Sequence, residues 1–290
     1  METVHTVSWM KQIARDARAQ GRTLGFVPTM GALHEGHFSL VREARNQCAP
    51  VVVSIFVNPK QFGPSEDFQK YPRPLEKDRA ALEALGVDYL FAPSPEEIYP
   101  AGFRTSVNVE GLSDRLEGRS RPGHFRGVTT VVLKLFEIVQ PSLAFLGRKD
   151  AQQLRILRQM STDLDLDVQI VTCPIVREPD GLALSSRNAY LSRADRRAAP
   201  ALSRSLDAVR RAVASGERNP ANLLAALQRV IESEPALKLD YAEIVDADSF
   251  EPAAGLHRPC YVLLAARVGG TRLIDNALIE PNGDAVRVSL

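Results

Sequence analysis

Apolar positions run through the first part of this chain in two alternating rhythms. Val7 to Gln20 repeats them at helical spacing and stops at Gly21, which predicts an amphipathic helix. Leu24 to Val27 is a short apolar run, read as a strand, and Phe38 to Asn46 returns to the helical period. Val51 to Val57 is almost unbroken and rich in valine, the pattern of a strand buried on both faces. Leu75 to Leu85 reads as a helix ended by Gly86, and Val87 to Phe91 as a strand. Val128 to Val139 is an apolar helix closed by Pro141, and Leu143 to Leu146 a strand. Ala151 to Met160 is a helix, and Val168 to Val171 a further strand. The polar, Pro- and Gly-rich stretches Asn58 to Arg73 and Leu112 to Gly127 read as loops. This alternation predicts an α/β fold, a doubly wound, mostly parallel, Rossmann-like sheet. Ligands in such folds sit beyond the carboxyl ends of the strands.

The rhythm changes after Val176. Ala194 to Ala214 reads as one long helix and Pro220 to Glu232 as another. Strand patterns follow at Leu239 to Val245, Tyr261 to Val268 and Thr271 to Ile274, the last two joined by the hairpin signal Gly269-Gly270. A second, smaller α+β domain over 177–290 is expected after a first domain over 1–176.

Composition narrows the partners. The 290 residues carry a net charge of +1, which gives no reason to expect nucleic acid or an acidic membrane surface. Cys48, Cys173 and Cys260 are odd in number and far apart, so neither a disulfide framework nor a zinc ribbon is supported. Reduced thiols, no signal-peptide pattern at Met1 to His5 and no bilayer-length apolar run lead to the expectation of a soluble, cytoplasmic protein.

The chemistry concentrates after the first strand. Two of the five histidines, His34 and His37, fall within four positions, with Gly36 between them, where a loop turns into a helix. Backbone N–H groups left over at a helix start favour an anion, and two imidazoles add donors. A phosphate site is the expectation; zinc would need more ligands than this pair offers. Gly147-Arg148-Lys149-Asp150 lies at a second strand-to-helix junction, and Lys149 brings a point charge suited to phosphate. A plain helix start capped by Asp150 is the competing reading. Asn58 to Phe62, Arg121 to Gly127 and Leu184-Ser185-Ser186-Arg187-Asn188 are polar loops. The second of these reads either as an anion-binding loop or as a basic surface turn, and the third either as a triphosphate contact or as a Ser-rich turn.

Together and in this order, the five segments resemble the pantoate–β-alanine ligase family, within the wider superfamily of nucleotidylyltransferases and class I aminoacyl-tRNA synthetases that share an H-x-G-H element. The sequence departs from the family pattern at Arg148, where an acidic residue is usual, and at Ala151, where an aromatic is usual. The resemblance implies ATP-dependent joining of pantoate and β-alanine through a pantoyl adenylate, with ATP as substrate and Mg²⁺ as its companion. A nucleotidylyltransferase of the same superfamily is the alternative. The ligase resemblance implies His37, His34 and Lys149 as catalytic residues. ATP would be bound by Met30, Gly31, Ala32, Leu33, His34, Glu35, Gly36 and His37, and by Gly147, Arg148, Lys149 and Asp150. Val176, Leu184, Ser185, Ser186 and Arg187 would complete that site. Gln61 and Gln153 would hold pantoate and β-alanine, and Asp78 is the candidate Mg²⁺ ligand. A homodimer is implied as well. Because the loop carrying Ser185 to Arg187 adjoins the expected domain boundary, the smaller domain is expected to close over ATP.

Overall fold

A computed structural model describes residues 1–64, 66–282 and 285–290. The chain divides into two units: residues 1–148 with 152–174, and residues 175–290 with the Lys149–Ala151 turn.

The first unit is built on six parallel strands: β1 (Glu2–Val4), β2 (Gly25–Thr29), β3 (Val51–Ile55), β4 (Tyr89–Phe91), β5 (Leu143–Gly147) and β6 (Gln169–Cys173). Their spatial order is β1-β4-β3-β2-β5-β6, with every pairing parallel. The chain runs outward from β2 to β3 and β4, then returns to place β5 on the other flank of β2. The switch point of the doubly wound fold is therefore between β2 and β5, where such sheets bind ligands.

The helices of this unit are α1 (Val7–Ala19), α2 (Glu35–Gln47), α3 (Leu75–Ala84), α4 (Pro95–Ile98), α5 (Glu117–Ser120), α6 (His124–Val139) and α7 (Ala151–Asp163), the last sharing its first residue with the other unit. One face of α2, formed by Leu40, Val41 and Ala44, packs with Val27, Val51, Val53 and Phe145 of the sheet. Each fully buried Val or Phe contributes about 1.5–3 kcal/mol, and this packing holds α2, with the His pair at its start, against the strands.

Three expectations are corrected. The 112–127 stretch is not all loop: it contains α5, and α6 begins at His124, four residues before the apolar run. Gly123, at φ +81°, turns the chain into that helix. The long helix of the second unit is broken into α8 (Arg193–Ala198) and α9 (Ala201–Ala214), because Pro200 has no N–H to continue the ladder. The last strand does not stop at Ile274.

The second unit carries an antiparallel sheet ordered β10-β9-β8-β7, from β7 (Leu237–Asp246), β8 (Cys260–Val268), β9 (Thr271–Asn282) and β10 (Ala285–Ser289). Leu202, Leu206, Val209 and Val213 of α9 and Leu223, Leu227 and Ile231 of α10 (Pro220–Glu232) form one core with Val262, Leu264, Leu273 and Ile279 of the strands.

Candidate active site

The mouth of the first unit opens at Pro28. Gly25 N donates to Pro50 O, and Thr29 O accepts from Phe56 N, so the odd-numbered residues of β2 face β3. Pro28 therefore turns toward β5, where it has no N–H to give. Pairing with β5 covers Gly25 and Phe26, while pairing with β3 continues to Thr29. The sheet parts at the switch point.

Beyond β2 the loop is tightly held. The Thr29 hydroxyl donates to Ser54 O at 2.7 Å and accepts from Gly31 N at 3.1 Å. Gly31 (φ +80°) and Ala32 (φ +51°) both lie in the left-handed region. In this turn the N–H groups of Ala32 and Leu33 converge on one carboxylate, an anion-holding concavity. The anion in it is Asp78 of α3: Ala32 N donates to Oδ2 at 2.7 Å and Leu33 N to Oδ1 at 3.0 Å. Asp78 is 2% exposed. Burial pushes its carboxyl up, while the bonds from Leu33 and Ala32 and the Lys77 charge pull the other way. Both Asp78 oxygens thus already take a loop N–H, an internal role beside the Mg²⁺ role expected of this residue. Among the described residues no group of three or more His, Cys, Asp or Glu is placed to hold a metal.

The expectation that uncapped backbone N–H groups await a phosphate is corrected as well. His34 is the N-cap of α2, and its Nδ1 accepts from Gly36 N at 3.2 Å. His37 Nδ1 accepts from His34 N at 3.4 Å, closing a reciprocal capping box. The ring centroids are 4.2 Å apart. A nitrogen that accepts an N–H must offer its lone pair, so each neutral ring carries its proton on Nε2. The backbone thus sets both tautomers, so the N–H donor of each ring is Nε2. Glu35 pairs with Arg42 on the exposed side of α2.

Beside this loop, Pro59–Gln61 forms a single 3₁₀ turn capped by Asn58. Gln61 is 8% exposed; its Oε1 accepts from Asn58 Nδ2 at 3.1 Å, and its Nε2 lies 3.0 Å from Met30 Sδ. Asn58 also donates to Gly127 O at 3.1 Å and accepts from the Tyr99 hydroxyl at 2.8 Å. The Arg121–Gly127 segment is neither a free anion loop nor a surface turn: Arg121 and His124 turn inward to Glu66 and to the carbonyl of Gln61. Gln153 stands half-buried in the first turn of α7. Its neighbour Gln152 braces the preceding loop through Leu112 O, Arg115 O and Glu117 N.

Burial and then the Arg121 charge hold His124 down at about 4, outweighing the bond to Gln61 and the charges of Glu66 and Glu117. Burial alone would raise Glu66, but the bond and charge of Arg121 bring it below the usual carboxylate range. An unfolded histidine binds a proton below about 6.5, and the folded one resists it until about 4. Stability from His124 is therefore complete above pH 6.5 and falls as pH drops toward 4, by at most about 1.4 kcal/mol per pH unit. Urea midpoints measured from pH 7 to 4.5 are expected to fall less steeply in His124→Asn than in the parent, and parallel curves would remove the imidazole as the cause.

In the second unit, Leu184 N donates to Val176 O at 3.0 Å, and Arg177 bridges Ala183 in a short antiparallel pair. Ser185 caps the Ser186–Tyr190 3₁₀ turn by accepting from Arg187 N. Arg177 grips Asp275 of β9 with two bonds of 2.7 and 2.9 Å, and the next residue, Asn276, donates to Lys149 O at 2.8 Å. Lys149, Val176, Leu184, Ser185, Ser186 and Arg187 thus belong to one unit, tied together through β9. Lys149 Nζ lies 3.9 Å from the half-exposed Asp150 carboxylate. Gly147 and Arg148, at the end of β5, belong to the other unit. Sequence reading missed Arg177, Asp275 and Asn276. Their signal was an acid and an amide inside the otherwise apolar run Leu273 to Ile279.

The family model described as pantoate-beta-alanine ligase matches residues 2–278. The chain belongs to the pantoate–β-alanine ligase family. It is 51% identical over 279 residues to the pantothenate synthetase of Pelotomaculum thermopropionicum, covering 96% of this chain and 99% of that one. It is 52% identical to that of Heliobacterium modesticaldum, covering 97% and 100%. The crystal structure of pantothenate synthetase from Thermus thermophilus superposes with a TM-score of 0.91 at 47% identity, covering 95% and 98%. A pantoate–β-alanine ligase from Francisella tularensis, complexed with β,γ-ATP and β-alanine, superposes at 0.79 with 36% identity, covering 95% and 97%. Membership of the ligase family sets aside the nucleotidylyltransferase alternative.

Proposed function

We propose that the chain forms pantoyl adenylate from pantoate and ATP at the mouth of β2, then passes the pantoyl group to β-alanine. In the first step a pantoate carboxylate oxygen attacks the α-phosphorus, and the bond from that phosphorus to the pyrophosphate oxygen breaks. In the second, the β-alanine amine attacks the carbonyl, AMP leaves with the former carboxylate oxygen, and the amine loses a proton, giving pantothenate. A free carboxylate would have to expel an oxide; adenylation replaces that with AMP.

The observation that carries this reading is the tautomer lock. With Nδ1 of each ring accepting a backbone N–H and the ring centroids 4.2 Å apart, His34 and His37 keep Nε2–H as their donors, which suits charge building on phosphate oxygens while pyrophosphate departs. Met30 and Gly31 line the loop beside them. Gln61 suits pantoate because it is a neutral amide whose N–H rests against a thioether, a weak acceptor that a substrate oxygen outcompetes. Gln153 is assigned to the same substrate. Lys149, Ser185, Ser186 and Arg187 are assigned to the triphosphate, Asp150 to the ribose and Val176 to the adenine edge. Sharing one unit, these residues would move together when residues 177–290 close over ATP; a nucleotide complex in which they separated would remove that step. Mg²⁺ belongs to the nucleotide's own phosphates and waters. A homodimer rests on the family resemblance alone, and the mass in solution tests it.

Three buried thiols fit a reducing compartment, the basis for the cytoplasmic expectation. Among the described residues no helix is long and apolar enough to cross a membrane. The deciding experiment is exchange of labelled pyrophosphate into ATP. Exchange is expected with pantoate present and β-alanine absent, and exchange without pantoate would overturn the carboxylate as the attacking group.

A further inference from the structure

Arg121 and His124 of the Arg121-Pro122-Gly123-His124 segment both turn into the fold, and what they hold is specific. The carbonyl of Gln61 accepts from His124 Nδ1 at 2.9 Å and from Arg121 Nη2 at 3.3 Å, so both of its lone pairs are engaged. His124 Nε2 in turn accepts from Arg121 Nη1 at 3.0 Å, which leaves the imidazole proton on Nδ1, the nitrogen aimed at Gln61. Arg121 is itself fixed by Glu66, whose two oxygens take Nε at 2.8 Å and Nη2 at 2.6 Å. A forked guanidinium on a carboxylate is the most orientation-specific ion pair available to side chains. The pair is largely enclosed, with 15% and 22% side-chain exposure.

The helix behind it lies flush with the same turn. A Cβ on Gly127 would stand 2.2 Å from Lys60 O and 2.7 Å from Gln61 Cα, so only glycine lets α6 approach this closely. Gly127 O then receives Asn58 Nδ2, which also bonds the Gln61 side-chain oxygen. Gln61 is thus held at its main-chain carbonyl and at its side-chain oxygen, and among the described residues its Nε2–H meets the Met30 sulfur.

We infer that Glu66, Arg121 and His124 are positioning residues that lock Gln61 through its own carbonyl and so present its amide N–H to pantoate in a single pose. The inference rests on Gln61 as a pantoate ligand and goes beyond it by naming what sets the ligand's aim. A lock that served only general stability would weaken every substrate alike. A lock on Gln61 weakens pantoate selectively.

The test is steady-state kinetics with pantoate, ATP and β-alanine varied in turn, for His124→Ala, His124→Asn, His124→Gln, Glu66→Gln and Gln61→Ala, each checked by thermal melting. His124→Ala is expected to raise the pantoate KM about tenfold, the worth of one net hydrogen bond, and to leave the ATP KM within about twofold. Asn carries a donor where Nδ1 sits and is expected to restore most of the loss; Gln places its amide at the Nε2 position and is not. Glu66→Gln, which keeps the shape and loosens Arg121, should follow His124→Ala in direction if the latter melts too early to assay. In the Gln61→Ala background the His124 change should be nearly silent. An unchanged pantoate KM in folded His124→Ala, or equal losses for pantoate and ATP, would overturn the lock. An unchanged pantoate KM in Gln61→Ala would instead overturn the reading of Gln61 on which the lock depends.

Discussion

His37→Ala is expected to lower pantoate-dependent pyrophosphate exchange by about 100- to 1,000-fold, the cost of removing one preorganised donor from a developing oxyanion. The donor is Nε2–H, because Nδ1 is committed to His34 N. That commitment makes the side-chain series informative. Gln at 37 can place an N–H near the Nε2 position and should recover part of the rate, whereas Asn reaches only the Nδ1 position and should restore the cap without the chemistry. Loss of the capping contact alone costs about 0.5–2 kcal/mol of stability, so the melting temperature of the Ala and Asn variants should separate the two roles. Exchange within a few-fold of the parent in folded His37→Ala would take His37 out of adenylate formation. His34→Ala should be milder in rate and harsher in stability, since His34 is the N-cap itself and its Nδ1 holds Gly36 N.

The parts of this fold that local pattern controls were legible in the sequence. Val51 to Ile55 is buried throughout apart from a half-buried end, as an unbroken valine run predicts for a parallel sheet. Pro220 to Glu232 is a helix with the expected bounds, because Asn219 caps it and Pro220 sits where a missing N–H costs nothing. Where pattern and chemistry conflict, the reading failed. His124 to Gly127 looks like loop because Pro, Gly and Arg surround it, yet long-range bonds to Gln61 hold it as the first turn of α6. The run after Ile274 looks broken because Asp275 and Asn276 are polar, yet β9 passes through them, with Arg177 supplying the partner for the buried acid. The site divides in the same way. The segment carrying His34 and His37 is contiguous and announces itself. Asp78, Asn58, Glu66 and Tyr99 act across 30 or more residues of sequence or through side chains that a linear pattern leaves unmarked.

Asp78→Ala is expected to be the most damaging single change outside the histidine pair. The loop it holds stores strain: Ala32 at φ +51° lies where an L-residue is disfavoured by about 1–2 kcal/mol. Two bonds from Ala32 N and Leu33 N to a buried carboxylate offset that strain, and bonds to a charged acceptor are about twice as strong as neutral ones. Without the carboxylate the two N–H groups lose their shared acceptor, at about 1–3 kcal/mol each, and Ala32 can relax out of the left-handed region. His34 is two residues away and starts α2, so relaxation displaces both imidazoles. A displacement of about 1 Å suffices for roughly a 100-fold loss of rate. The expected result is therefore a drop of about 100-fold in exchange together with a loss of several degrees in melting temperature. Asn should rescue poorly, because its amide turns one of the two acceptors into a donor facing another donor. The control is magnesium. A residue that served as a metal ligand would give a variant whose activity recovers as Mg²⁺ is raised well above ATP, whereas a residue that shapes the loop gives a deficit independent of Mg²⁺. Recovery of Asp78→Ala by excess Mg²⁺ would give Asp78 the ligand role for which it was a candidate. A flat response would leave the carboxylate as the internal anion that sets the histidine motif in place before any phosphate arrives.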